Sequence, residues 1–183
     1  MAEIHSLIPK LNGAPLTRFH RADAVITSGY AIVPCQPEHI VALGKTLRDA
    51  DRREIENLGF GVKKALYRAY RNSVMCRAAL IHGEVAAVWG LAVALRENVS
   101  PLSDLGVPWL HTSALVEQVP FSFVRVGKRE LAAMMRLRPK LESFVAANYK
   151  EAVKFLKILG FTVDKAEPLG LNGSLYCRFH MGF

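Results

Sequence analysis

The sequence contains few cysteines, three among 183 residues. Their number is odd, Cys35, Cys76 and Cys177 lie far apart, and each lies in an apolar, strand-like segment. This pattern argues against the disulfide framework of small secreted proteins. No Cys-x-x-Cys or His-x-Glu-x-x-His spacing is present, so the sequence gives no support for a metal site. We expect the three cysteines to be buried free thiols.

Long apolar runs are also lacking. No segment approaches the ~20 apolar residues that span a bilayer. The first nine residues, Met-Ala-Glu-Ile-His-Ser-Leu-Ile-Pro, lack the basic start and apolar stretch of a signal peptide. Hydrophobic residues make up 51% of the chain and charged residues 22%, which is enough to bury a full core. We therefore expect a soluble protein without a membrane span, made in a cytoplasm.

Acidic residues are scarce relative to basic ones, 16 against 24, which gives a net charge of +8. The excess lies in two segments, residues 60–80 and residues 121–160. Such clustering suits an anionic partner, namely coenzyme phosphates, nucleic acid or an acidic protein surface. Solvated helix faces are the alternative explanation.

The N-terminal residues 1–29 contain prolines and glycines without sustained periodicity, which predicts an arm before a domain of residues 30–183. A short strand at residues 30–33 is followed by three predicted helices, which begin near Pro37, Arg48 and Val62. Apolar runs at residues 74–81 and 84–95 flank His82-Gly83, which predicts a hairpin covered on both faces.

The second half of the domain alternates strands and helices. We predict a loop at residues 98–108, a strand at 109–115, a basic loop at 121–129 leading into a helix that ends near residue 137, and a strand at 140–147. Two further strands, at 161–163 and 174–181, end the chain. The predicted order is β-α-α(α)-β-β-β-α-β-α-β-β, with no internal repeat.

The helix predicted between the strands at 140–147 and 161–163 carries the clearest pattern. Its apolar residues recur at the i, i+3, i+4, i+7 spacing of one buried face, and lysines occupy the opposite side. Asn148 lies where an N-cap is expected, and Gly160 lies where a left-handed C-cap is expected. The apolar positions are Ala152, Phe155, Leu156 and Leu159, and the lysines are Lys150, Lys154 and Lys157.

This helix, ending in Leu159-Gly160-Phe161, resembles the late helix of the GCN5-related N-acetyltransferase (GNAT) fold, and the predicted order over residues 30–183 matches that fold. Within the superfamily the sequence is similar to internal virion proteins of T7-like podophages. The segments that carry this second resemblance are Asp51-Arg-Arg-Glu54-Ile-Glu56, residues 78–90, Trp109-Leu-His-Thr112 and residues 148–161. The resemblance implies an α+β class, with a mixed central sheet flanked by helices on both faces.

The resemblance also implies where acetyl-CoA would be held. The family binds the coenzyme pyrophosphate on backbone amides of a glycine-rich turn that opens a helix. The matching place is Arg125-Val-Gly127-Lys128-Arg129, which has one glycine where the family has two. If acetyl-CoA binds, Arg125, Gly127, Lys128, Arg129 and Asn148 are the predicted contacts.

The sequence offers only weak candidates for the acid and the base that would transfer protons. Many members of the family place a tyrosine acid on the late helix. Here Leu156 stands at that position, and we expect Tyr149 to be a surface or packing residue. His111 and Glu117, which flank the third predicted strand, are the candidates for a base.

The leading hypothesis is a GNAT-fold phage protein that acts as a structural or ejected virion component, without efficient catalysis and without a cofactor. Its predicted partners are other virion proteins, through residues 1–29, and packaged DNA. Its expected location is the virion or the host cytoplasm. The alternatives are an acetyl-CoA-dependent N-acetyltransferase acting on an amine of a host or phage protein and, less favoured, a nucleic-acid-binding module. The basic faces predicted to meet DNA are Lys63, Lys64, Arg68 and Arg71, and Lys150, Lys154 and Lys157.

Overall fold

A computed structural model describes residues 25–26, 29–93 and 103–183 of the chain. The described strands are β1 Val25–Ile26, β2 Ala31–Pro34, β3 Ser73–Ile81, β4 Glu84–Val93, β5 Leu105–Thr112, β6 Lys140–Ala146, β7 Thr162–Pro168 and β8 Leu175–Met181. The α-helices are α1 Pro37–Thr46, α2 Asp49–Asn57, α3 Val62–Arg71, α4 Pro120–Leu137 and α5 Lys150–Leu159. The predicted α+β class and element order are confirmed.

The strands form one mixed sheet in the order β1-β2-β3-β4-β5-β6-β8-β7. All neighbours are antiparallel except β5 and β6, which are parallel and are joined at two residue pairs only, Leu105 with Lys140 and Gly106 with Leu141. Beyond these pairs the two strands continue without pairing to each other. The result is a wedge-shaped gap in the middle of the sheet.

Two apolar cores lie against the sheet. One contains Leu131 and Met134 of α4, with residues of α5 at its edge, and the other contains Leu43 of α1, Ile55 of α2 and Leu66 of α3. Both cores draw residues from β3 and β4, which explains why these strands are apolar almost throughout. The prediction of cover on both faces is confirmed.

Several local predictions also hold. His82 and Gly83 have φ values of 50° and 84°, the left-handed backbone that a two-residue hairpin turn requires. Gly160 ends α5 with a φ of 98°. Cys35 and Cys76 are buried and Cys177 is half-buried, and all three are free thiols.

The strand predicted at residues 109–115 begins earlier, because β5 runs from Leu105 to Thr112. The predicted loop at 98–108 is therefore wrong for its last residues, and residues 98–102 lie outside the described part of the chain. Pro108 misled the prediction, since a proline interrupts most strands. It lies just beyond the point at which β5 and β6 separate, where a missing N–H group costs no hydrogen bond between these two strands.

The predicted basic loop at residues 121–129 is also wrong, because α4 begins at Pro120. Aromatic residues and a glycine weaken the helical pattern of this segment. Tertiary packing overrides that weakness, since the ring of Phe123 stacks on Phe155 of α5 at a centroid distance of 4.9 Å.

The start of α5 differs by one residue from the prediction. Tyr149 is the N-cap, and Asn148 lies before it, exposed to solvent. Most of the predicted arm, residues 1–29, lies outside the described residues, although β1 within it pairs with β2. Among the residues that the structure describes, no helix combines the length and the apolar character needed to cross a bilayer.

Candidate functional site

The gap between β5 and β6 opens into a cavity of about 810 Å³. This volume lies within the ~300–1,000 Å³ typical of small-molecule sites. Apolar side chains of both cores make up most of its wall, including Phe123, Phe155 and Leu156. A small group of polar side chains also lines it, at the ends of β5 and β6: Asp51, Glu54, His111, Thr112 and Tyr149.

The carboxylate of Asp51 lies at the centre of this polar group and is 3% exposed. Its Oδ2 atom accepts the hydroxyl of Thr112 at 3.0 Å and the hydroxyl of Tyr149 at 3.2 Å. Its Oδ1 atom lies 3.4 Å from Nδ1 of His111. A buried carboxylate needs such donors to offset the loss of water, and three side chains supply them here.

One face of helix α2 directs charged side chains to the cavity, while Asp49, Arg53 and Glu56 are exposed to solvent. Residues three apart on a helix share a face, and Arg48 at the N-cap, Asp51 and Glu54 follow this spacing. All three line the cavity. The backbone N–H of Arg48 donates to the carbonyl of Thr112 at 3.0 Å, which fixes the start of α2 against the end of β5.

Glu54 connects α2 to the other side of the gap. Its Oε1 atom accepts the backbone N–H of Ala146, at the end of β6, at 2.6 Å, and its carbonyl accepts the hydroxyl of Tyr176 at 2.8 Å. Burial raises the pKa of the Glu54 carboxyl group, and the hydrogen bond from Ala146 partly opposes that rise. Helix α2 therefore spans the open ends of β5 and β6.

The two ring nitrogens of His111 have different surroundings, because only Nδ1 lies beside the Asp51 carboxylate. The Asp51 carboxylate beside Nδ1 favours the tautomer with its proton on Nδ1, which leaves a lone pair on Nε2. Among the described residues nothing is hydrogen-bonded to Nε2. The His111 side chain is 15% exposed and lines the cavity. Burial raises the pKa of the neighbouring Tyr149, and the Asp51 charge adds to that rise, so the phenol stays a proton donor.

The two bases predicted from sequence have different positions. His111 lies within the polar group. Glu117 lies at the rim of the cavity in a short 3₁₀ helix, 64% exposed, and pairs with Arg48 at 3.4 Å. Of the two predicted bases, the structure brings only His111 together with buried partners, Asp51 and Thr112.

Four of the five residues predicted to contact the coenzyme lie inside α4 rather than in a loop, and the fifth, Asn148, lies before α5. Arg125 and Lys128 are exposed, and Nε of Arg129 lies 3.3 Å from Glu130. A Cβ atom on Gly127 would lie 2.9 Å from the ring of Phe155, so this glycine permits close packing of α4 on α5. The true connection from β5 to α4 is the segment 113–119.

Sequence reasoning missed Asp51, Glu54 and Thr112 as site residues and expected Tyr149 at the surface or in packing. The spacing of Asp51 and Glu54 was visible in the sequence, but a charged helix usually faces solvent. Nothing local indicated that α2 crosses the gap. Leu156, at the position where an acid is expected, packs against the apolar core.

A second polar contact lies in the cavity wall beneath α4. Glu130 is 4% exposed and accepts the indole N–H of Trp89 at 3.3 Å and Arg77 at 3.3 Å. These contacts anchor α4 to β3 and β4, because an unpaired buried carboxylate there would be strongly destabilising.

No protein-family model and no curated protein matches this sequence. Solved structures match its fold. A GCN5-related N-acetyltransferase from Brucella melitensis has a TM-score of 0.61 at 12% identity, over 93% of this chain and 82% of that chain. The ribosomal L7/L12 alpha-N-protein acetyltransferase RimL, solved with coenzyme A, has a TM-score of 0.57 at 10% identity, over 86% of this chain and 97% of that chain. The protein yncA from Salmonella typhimurium, solved with acetyl-CoA, has a TM-score of 0.58 at 9% identity, over 84% of this chain and 92% of that chain. At these identities the likeness shows the fold alone, and that fold is the GNAT fold.

Proposed function

We propose that the cavity between β5 and β6 binds an acyl-coenzyme A and that the protein transfers the acyl group to an amine. The observation that supports this proposal most directly is the position of the Asp51–His111–Tyr149 group, at the end of an apolar cavity that separates two parallel strands. Structural neighbours solved with coenzyme A or acetyl-CoA add support at the level of the fold.

The strand edges fit the pantetheine arm of such a coenzyme. Beyond Gly106 and Leu141, the facing edges of β5 and β6 carry backbone groups with no strand partner across the gap. An extended chain with two amide groups could take these hydrogen bonds. The surrounding wall is mostly apolar, which suits the methylene groups of the arm.

The start of α4 fits the pyrophosphate better than Gly127 does. The first amides of a helix have no partner within the helix and attract anions. At this helix start, Pro120 occupies the first position, and the Ser122 side chain lines the cavity. We assign phosphate contact to Ser122 and the neighbouring amides. The prediction of lost catalysis rested partly on a degenerate loop at Gly127, which is helical, and partly on Leu156 at the position of the expected acid.

Residues of this chain would then remove the proton from the acceptor amine. The bound coenzyme would supply an acyl thioester, so that an N–C bond forms as the C–S bond breaks and the proton lost by the amine matches the one gained by the thiolate. His111 Nε2 would accept the amine proton. Asp51 would hold the imidazole in the required tautomer, and Tyr149 and Thr112 would hold Asp51.

Calorimetric titration with acetyl-CoA tests this proposal. We expect binding to the wild type and roughly tenfold weaker binding to Ser122→Asp, because the added charge repels the pyrophosphate. An acidic residue in the first turn favours a helix, so the variant should keep its thermal stability. S-acetylpantetheine lacks the pyrophosphate and serves as the control, with equal affinity for both proteins. Absence of binding at millimolar acetyl-CoA would overturn the proposal.

We propose a virion role as the second candidate function, in which the protein is a structural or ejected component of a phage particle. Its support is the sequence resemblance over Asp51–Glu56, 78–90, 109–112 and 148–161, together with the exposed basic side chains of α5. Mass spectrometry of purified virions tests it, since a virion component must be present in the particle. A particle without this chain rules the role out.

A further inference from the structure

Helices α4 and α5 carry seven exposed cations, and one of them, Arg129, is paired with Glu130. Of the other six, three lie on α4 and three on α5, and on α5 they follow the i, i+4, i+7 spacing of one helix face. We name this set the α4–α5 basic surface; its members are Arg125, Lys128, Arg136, Lys150, Lys154 and Lys157. It lies on the solvent side of the helix pair, whose other side covers the sheet.

The α4–α5 basic surface lacks counter-charges. Among the described residues none of its six cations has a carboxylate within 4.0 Å. The acids of these helices are Glu130, which is buried against Arg77, and Glu151, which is exposed, lines the cavity and forms no ion pair among the described residues. Like charges one turn apart repel each other, so an anionic partner would relieve a repulsion that the fold leaves in place.

The basic residues of α3 are engaged differently. Lys64 and Arg68 line the cavity, and the guanidinium of Arg71 lies 5.9 Å from the ring centre of Tyr67. The structure therefore separates the two basic faces that the sequence predicted. Lys63 of α3 is also exposed, but the face on α5, extended by α4, holds the larger group of exposed cations without a carboxylate partner among the described residues.

The shape and composition of this surface favour a polyanion over a lipid bilayer. A shallow concavity is lined by Lys150, Lys154 and Lys157 together with Ala147, Val153 and Ile158. A helix that lies in a bilayer needs a broad apolar face towards the lipid, and here the apolar face of α5 packs on the core. Flexible lysines along one helix face suit evenly spaced phosphates.

We infer that the α4–α5 basic surface binds the phosphate backbone of duplex DNA without reading its sequence. The basic side chains lie along the faces of α4 and α5, so the contacts are with phosphates, which position a protein but do not specify a site. Binding here leaves the α1–α3 side of the protein uncovered. The inference does not depend on coenzyme binding in the cavity.

Fluorescence anisotropy with a short labelled DNA duplex and the full-length protein tests the inference. One variant replaces three lysines of α5: Lys150→Glu, Lys154→Glu, Lys157→Glu. It should bind DNA roughly tenfold more weakly or worse, and the slope of its log affinity against log salt concentration should correspond to about three fewer released counterions. The matched control is Arg53→Glu, Lys63→Glu, Arg71→Glu, which makes the same change in net charge on the α2–α3 side. It should keep most of the affinity.

Three outcomes would overturn the inference. Absence of binding at low salt removes it, and equal weakening by the two triple variants would show that net charge alone attracts DNA. Stronger binding to phosphatidylserine vesicles than to the duplex would assign the surface to a membrane. Circular dichroism of each variant checks the fold, and the changed residues are exposed enough that both variants should retain it.

Discussion

The hydroxyl of Tyr149 donates to the carboxylate of Asp51 across 3.2 Å, and this contact joins the start of α5 to α2. The same carboxylate oxygen accepts Thr112 from the end of β5. The buried Asp51 side chain therefore contacts β5 directly, at Thr112, and is linked to β6 through Tyr149, three residues beyond the end of that strand. Four expected outcomes follow from this and related contacts.

Asp51→Asn should destabilise the protein by about 1–3 kcal/mol, because two hydroxyl donors lose the charged oxygen that they share. Thermal unfolding measures the change, and it should appear as a fall of several degrees in Tm, at about 2–4 °C per kcal/mol. Asp49→Asn on the same helix is the control, since Asp49 is exposed and contributes only through the helix dipole. Equal losses in the two variants would contradict a central role for Asp51.

Replacing Glu54 with glutamine should raise the stability of the protein, relative to the wild type, more at neutral pH than at acidic pH. Burial raises the pKa of Glu54, so between its ordinary and its folded pKa the folded protein holds a proton that the unfolded chain has released. Stability of the wild type therefore falls as pH rises through that window. Glutamine keeps the acceptor for the Ala146 N–H and does not titrate. Guanidinium unfolding at about pH 4 and pH 7 should show the variant gaining on the wild type at the higher pH; a constant difference would contradict this explanation.

Tyr149→Phe should weaken the dependence of stability on alkaline pH. The pKa of Tyr149 is raised by burial and by Asp51, so above about pH 10 the unfolded chain loses a proton that the folded protein keeps. Stability falls as pH rises beyond that point, and the phenylalanine variant lacks this contribution. Unfolding at several pH values measures the slope. Tyr67→Phe, on an exposed face of α3, is the control and should leave the slope as in the wild type.

Two glycines in helices should respond in opposite directions to a larger side chain. Gly127→Val should lower the free energy of unfolding by about 1–3 kcal/mol, because even a Cβ atom added there would lie 2.9 Å from Phe155 and 3.2 Å from Leu159. Gly44→Ala in α1 should gain about 0.5–1 kcal/mol, because its Cβ atom would lie 3.7 Å from Leu66, an ordinary contact. Chemical denaturation measures both. A neutral Gly127→Val would show that α4 and α5 can separate without cost.

The sequence could predict the elements whose cause is local. The hairpin at His82-Gly83 and the cap at Gly160 follow from backbone conformations that few residues adopt, and the apolar stripe of α5 follows from helical spacing. The fold class followed from the order of these elements.

The centre of the site could not be predicted in the same way. Asp51 and Tyr149 are 98 positions apart in the chain, and only the folded sheet brings them together. The start of α4 was missed because Phe123 and Gly127 look unhelical by themselves and become favourable only against Phe155. Long-range packing decided both cases.

The two residue pairs that join β5 to β6 also set how the halves of the sheet can move. A sheet with a complete ladder at its centre resists bending there, whereas this one is paired at its centre at Leu105 and Gly106 alone. A molecule inserted between the strands would therefore change the angle between β1–β5 and β6–β8 while their internal ladders stay intact. Resistance to such opening would come from the side chains of α2 and from the apolar core that α4 forms with β3, β4, β6 and β8.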